Sequence, residues 1–109
     1  MTDPAVSATT RVGLIVRLEA RPEHAQELQE LLTGALDLAR EETGTTVWFV
    51  LRLGPASFAI VDAFPDDGAR QAHIDGRIAD LLRAEGPRLL AARVEVSPVD
   101  VLAAKLPAA

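Results

Sequence analysis

Between Arg11 and Leu18, apolar Val12, Leu14, Val16 and Leu18 alternate with Arg11, Gly13, Ile15 and Arg17. A period of two predicts a first strand with one strongly apolar face. Ala20-Arg21-Pro22-Glu23 then starts a helix, since proline suits a first turn and Glu23 complements the positive end of the dipole. Ala25, Leu28, Leu31, Leu32, Ala35, Leu38 and Ala39 follow at helical spacing, and Gly44, after Glu41-Glu42-Thr43, is a natural C-cap. Gly34 weakens the middle of this helix and marks a candidate close backbone contact. Thr45 to Leu53 is dense in β-branched and aromatic residues, which predicts a second strand. Gly54-Pro55-Ala56 turns the chain, and Ser57 to Phe64 returns as a third strand, making a hairpin. Asp66 can N-cap a second helix that carries Ala69, Ala72 and His73 on one face. Asp75-Gly76 interrupts it, Ile78, Leu81 and Leu82 resume its apolar stripe, and Gly86-Pro87 is expected to end it. Arg93 to Val101 predicts a fourth strand, with Pro98 implying an edge or a bulge.

The order is β-α-β-β-α-β, the arrangement of α+β ferredoxin-like folds, with a four-stranded antiparallel sheet and both helices on one face. Residues 11 to 102 make one domain. Met1 to Thr10 is small, polar and aperiodic and is expected to be disordered, and residues 103 to 109 form a mostly apolar tail. On the second strand, Val47, Phe49, Leu51 and Leu53 are apolar on one parity, and Trp48 and Val50 on the other. A solvated sheet face would be polar on one parity, so the pattern predicts a homodimer whose sheets face each other.

With 109 residues, 49% of them hydrophobic, the chain fills one core, largely with Leu, Val and Ala because only 4% are aromatic. A formal charge of −5 argues against a nucleic-acid partner. No apolar run approaches the ~20 residues that span a bilayer, and the N-terminus has no signal-like pattern, so no membrane partner and a cytoplasmic location are expected. The chain has no cysteine, which excludes disulfides, thiolate nucleophiles and cysteine metal sites. Its two histidines lie far apart and make a poor metal site. Dinucleotide and phosphate-loop glycine patterns and a serine elbow are missing as well, so no cofactor is expected.

His73 is the one group with a pKa near neutrality that belongs inside the domain. It could take a proton from a phenolic hydroxyl, or it could simply close a hydrogen bond between helix and sheet. Asp62 shares strand parity with Phe58, Ile60 and Phe64 and so points towards the helices. A buried carboxylate needs a partner. Asp62 either orients His73 or forms an ion pair with Arg70 or Arg77. Trp48 and Arg52 share a strand face. Trp48 could stack on a flat aromatic ligand with Arg52 opposing a phenolate, or fill the dimer core with Arg52 at its rim. Phe49 and Phe64 read first as core, and His24 is given no role.

EETGTTVW (Glu41 to Trp48) resembles the Glu-x-x-Gly approach to the second strand in the antibiotic biosynthesis monooxygenase family of dimeric α+β barrels. FAIVDAFPDDGARQAH (Phe58 to His73) resembles that family's Phe-x-x-x-acid-x-aromatic … Ala-x-x-x-His stretch, and the order of elements agrees over about residues 11 to 102. The resemblance implies a homodimer and a cofactor-independent monooxygenase that oxidises a small aromatic molecule, such as a quinol, with dioxygen. It implies His73 as base and Asp62 as its orienter, with Trp48, Arg52, Ile60, Phe64 and Arg70 as the substrate-binding wall. Ile60, Phe64 and Arg70 stand where quinone-forming members carry asparagine, tryptophan and tyrosine. The loss of those polar groups favours an alternative, a non-catalytic dimer that binds a small apolar ligand or serves as a structural module. Haem-degrading relatives raise a third reading, haem on His73, but haem would demand a larger apolar cleft than these helices promise.

Overall fold

The computed structural model describes residues 8–107. In chain order the elements are β1 (Val12–Glu19), a 3-10 turn (Pro22–His24), α1 (Ala25–Gly34), α2 (Leu36–Glu41), β2 (Val47–Arg52), β3 (Ser57–Phe64), α3 (Asp67–Ile74), α4 (Arg77–Leu89) and β4 (Glu95–Asp100). The strands make one antiparallel sheet in the order β2-β3-β1-β4. This is the α+β ferredoxin-like fold that the order of elements predicts. Pro98 lies on β4, at the sheet edge, where a missing N–H breaks no ladder. No helix among the described residues is long and apolar enough to cross a membrane.

Both helical segments are broken. The first bends at Ala35, where the Thr33 hydroxyl donates to the Glu30 carbonyl at 3.2 Å and Gly34 stiffens the backbone least. A Cβ on Gly34 would meet nothing within 4 Å, so this glycine marks a bend and not the close contact expected of it. The second segment starts on Asp66, whose carboxylate accepts from the Ala69 amide at 2.8 Å, and breaks at Asp75-Gly76. Gly86-Pro87 does not end it. The helix runs on to Leu89, because Pro87 removes only one donor and the Leu90 amide still reaches the Gly86 carbonyl at 2.9 Å.

Gly44 is not a left-handed cap either, since no described glycine has a positive φ. Its hydrogen faces α3 instead: a Cβ there would stand 2.9 Å from the Ala69 Cβ. At the N-terminus, residues 1–7 of the segment expected to be disordered lie outside the described residues. Its last member belongs to the domain: Thr10 is buried, and Thr46 Oγ1 donates to the Thr9 carbonyl at 2.6 Å.

The core lies between sheet and helices, where Leu14, Val16, Leu18, Phe58, Ile60 and Phe64 meet Leu28, Leu32 and Leu89. A smaller cluster of Ala35, Ala39 and Ile78 packs with Trp48 under α2 and α4. No layer among the described residues covers the opposite sheet face: Phe49 is 55% exposed, Leu51 41% and Leu53 52%. At Gly13 on that face the strands come too close for a side chain, and a Cβ would lie 2.5 Å from the Asp62 carbonyl oxygen. Gly13→Ala is therefore expected to destabilise the fold by about 1–3 kcal/mol, as overpacking does. A lower urea midpoint with an unchanged slope would register the loss.

Candidate functional site

β3 is flanked on both sides by strands, and its helix-facing residues are buried. Three of the four, Phe58, Ile60 and Phe64, are apolar, and the fourth is Asp62, at 2% exposure. Register places Leu14 and Trp48 on either side of it. The Asp66 cap fixes where α3 begins, and His73 falls in its last turn, directed back at the sheet. The Phe64 ring braces the imidazole, with centroids 5.2 Å apart and planes at 45°.

The imidazole is held at both nitrogens. His73 Nε2 lies 3.0 Å from Asp62 Oδ2, and Nδ1 lies 2.5 Å from Glu42 Oε1. Glu42 sits just beyond α2, and its Oε1 also accepts the Thr45 hydroxyl at 2.7 Å. Two glycines make room for it. Gly44 lets this segment pass against Ala69, and a Cβ on Gly76 would stand 3.1 Å from Glu42 Oε2. The contact to Asp62 has ion-pair distance without hydrogen-bond alignment, and neither carboxylate oxygen has an aligned donor among the described residues. The neighbouring Trp48 Nε1 is likewise buried and unpartnered there. Burial alone would depress the histidine, but its close contacts with Asp62 and Glu42 and their charges outweigh it. His73 therefore titrates above the ordinary histidine value.

His73 also forms part of the wall of a cavity of about 740 Å³. Leu14, Val16 and Ile60 supply its sheet side, Ile74, Ile78 and Leu82 its helix side, and Leu90, Val94 and Val96 its far end. Arg21, Arg83 and Arg93 also line it. Of the residues expected to bind substrate, Ile60 lies on this cavity. Trp48 packs instead against the cluster of Ala35, Ala39 and Ile78, on the β2 side of the inner space. Phe64 is wholly buried behind His73. Arg52 is exposed and donates to Gln29 Oε1 on α1. The Arg70 guanidinium donates to the carbonyls of Gly13 (3.2 Å) and Val99 (3.3 Å) and to Asp67 (2.9 Å), so it ties α3 to the sheet.

The expected alternative for Asp62, an ion pair with Arg70 or Arg77, does not form; Arg77 pairs with Glu41 at 3.0 Å. Sequence reading missed Glu42 and the three cavity arginines. Nothing in the local pattern marked Glu42, because the room that Gly44 and Gly76 leave for it depends on contacts between elements. Among the described residues no cluster of His, Cys, Asp and Glu is arranged to hold a metal.

The raised pKa of His73 has a consequence for stability, whose sign follows from linkage. The folded state binds the imidazole proton more tightly than the unfolded chain. This contribution is complete below the unfolded value of about 6.5 and is lost as pH rises through the folded pKa. Thermal midpoints of the wild type should fall as pH rises from 6 to 9. His73→Gln should flatten that decline when both proteins are followed by circular dichroism.

No protein-family model matches the chain, and no curated protein does. Solved structures do. The NE2512 protein of unknown function from Nitrosomonas europaea is 46% identical, with a TM-score of 0.91 over 94% of this chain and 100% of that one. A candidate antibiotic biosynthesis monooxygenase from Deinococcus radiodurans is 22% identical, with a TM-score of 0.73 over 90% of this chain and 99% of its own. Another from Caulobacter crescentus is 18% identical, with a TM-score of 0.71 over 84% and 90%. The chain thus belongs to one family with the NE2512 protein, and its fold is that of the antibiotic biosynthesis monooxygenase-like proteins.

Proposed function

We propose that the chain is a cofactor-independent monooxygenase acting on an electron-rich phenol or quinol bound between sheet and helices. One observation carries this reading: an imidazole held between two carboxylates forms part of the wall of a largely apolar cavity of about 740 Å³. The names given to neighbours of the same fold point the same way.

Neutral imidazole has one N–H and one acceptor nitrogen, so on losing its proton His73 can serve only one carboxylate. Asp62 is fully buried and cannot turn to water, whereas Glu42 keeps 21% of its side chain exposed and can. The hydrogen stays on Nε2 towards Asp62, and Nδ1 becomes the acceptor. Asp62 then orients the base and stabilises the imidazolium that forms. The substrate phenolate gives an electron to dioxygen, the resulting radical pair combines at an ortho or para carbon that carries hydrogen, and the imidazolium returns its proton to the peroxide. Loss of water from that hydroperoxide leaves a quinone, so phenol plus dioxygen gives quinone plus water. Ile60 serves as apolar wall, while Trp48, Phe64, Arg52 and Arg70 support the site from outside the cavity.

A homodimer accompanies this reading. The exposed Phe49, Leu51 and Leu53 form an apolar stripe on the sheet face away from the helices, and a second copy would cover it. A second reading, a binding module without turnover, draws on the occupied state of both His73 nitrogens.

Oxygen uptake against a panel of quinols separates the two. The monooxygenase should consume oxygen faster as pH rises through the raised pKa of His73, and His73→Ala should lower uptake by about 100-fold or more. Asp62→Asn, which removes one charge beside the imidazole, should move that profile to lower pH. No uptake with any quinol, together with higher thermal midpoints in their presence, would assign the binding module. Light scattering should give the mass of two chains for the wild type and of one for Phe49→Asp/Leu51→Asp.

A further inference from the structure

We propose that the cavity takes an aromatic ligand that ends in a carboxylate, and that Arg93 and Arg21 hold that group. The inference rests on the reading above that the cavity binds a small aromatic molecule, and it names the second half of that molecule. The chain is acidic, with 16 Asp and Glu against 11 Lys and Arg. The cavity reverses the balance: Arg21, Arg83, Arg93 and His73 line it, and no Asp or Glu among the described residues does.

These arginines are not all engaged in ion pairs. Arg83 meets Asp80 at 2.8 Å. Arg21 has no carboxylate partner among the described residues; its Nη2 reaches only the Pro87 carbonyl, at 3.4 Å. Arg93 has no hydrogen bond or ion pair among them. Glu19 and Glu95 share a neighbouring hollow with it, and neither forms an ion pair with it. Two guanidinium groups without carboxylates, set on an apolar chamber of Leu14, Val16, Ile60, Ile78, Leu82 and Leu90, match a molecule with an apolar body and an anionic end. The fork of a guanidinium fits a carboxylate through two parallel hydrogen bonds, which a hydroxyl cannot match. Both arginines are exposed in the free protein, so neither owes its place to packing.

Fluorescence titration with anthracene-2-carboxylate and anthracene-2-methanol, equal in body and different in charge, tests the inference. At pH 7.5 and low salt the carboxylate should bind at least tenfold more tightly than the alcohol. Arg93→Gln and Arg21→Gln should each weaken carboxylate binding several-fold and leave the alcohol and the thermal midpoint unchanged. In 0.5 M salt the preference should shrink, as screening of exposed charge requires. Equal binding of both compounds, or carboxylate binding indifferent to both substitutions, overturns the anionic end while the aromatic cavity stands. Binding of neither compound removes the aromatic cavity and this inference together.

Discussion

A single proton on one imidazole ties together three segments distant in sequence. Glu42 ends the first helical layer, Asp62 lies on the central strand, and His73 closes α3. With the imidazole charged, the three groups carry one net negative charge; without it, two carboxylates would face each other across a neutral ring. In a poorly hydrated interior that second state is much the worse, which is why two acids outweigh the burial that opposes the charge. Removing one member of such a set leaves a buried charge without compensation, typically a loss of about 3–5 kcal/mol. The constraint is therefore both chemical and architectural. It fixes the rotamer of His73 and the position of α3 over β3.

The backbone is shaped to allow it. Glu42 reaches the imidazole only because Gly44 lets the approach to β2 pass within contact of Ala69 and because Gly76 leaves space beside the carboxylate. Arg70 then pins the start of α3 to the carbonyls of β1 and β4, and Phe64 supports the ring from below. Asp62 and Trp48 remain with buried polar atoms that lack aligned partners. Such atoms reduce stability. Their retention beside a cavity is what a site selected for chemistry or recognition, and not for packing, looks like.

Much of this was legible in the residue pattern. Alternation marked the first strand and the density of β-branched and aromatic residues the second, and the parity of β3 put Asp62 on the helix face beside a histidine from the next helix. What escaped depended on volume and not on period. Gly44 and Gly34 were read through their usual roles as cap and contact. Whether a glycine is needed for φ or for space depends on a neighbour from another element, here Ala69 for one and open solvent for the other. The position of the cavity escaped for the same reason. Trp48 packs with Ala35, Ala39 and Ile78 on the β2 side, and the open space lies over β1 and β4, away from four of the residues expected to line it. Arg52 and Arg70 illustrate a further limit: parity says which way a side chain leaves the backbone, but not what its charged end will meet.

The same displacement gives the site its polarity. Space that opens over β1 and β4 is bordered by α4 and the connection into β4, and these segments bring Arg83 and Arg93. Arg21 arrives from the turn after β1, held there by backbone pairing of its amide to Leu89 at 2.8 Å. The carboxylates of the site, by contrast, are turned inward onto His73 and consumed there. Two acids thus hold the imidazole, and arginines line the cavity itself. This arrangement draws an anion towards the cavity despite a negative surface overall, because at short range local guanidinium groups outweigh distant, screened acids.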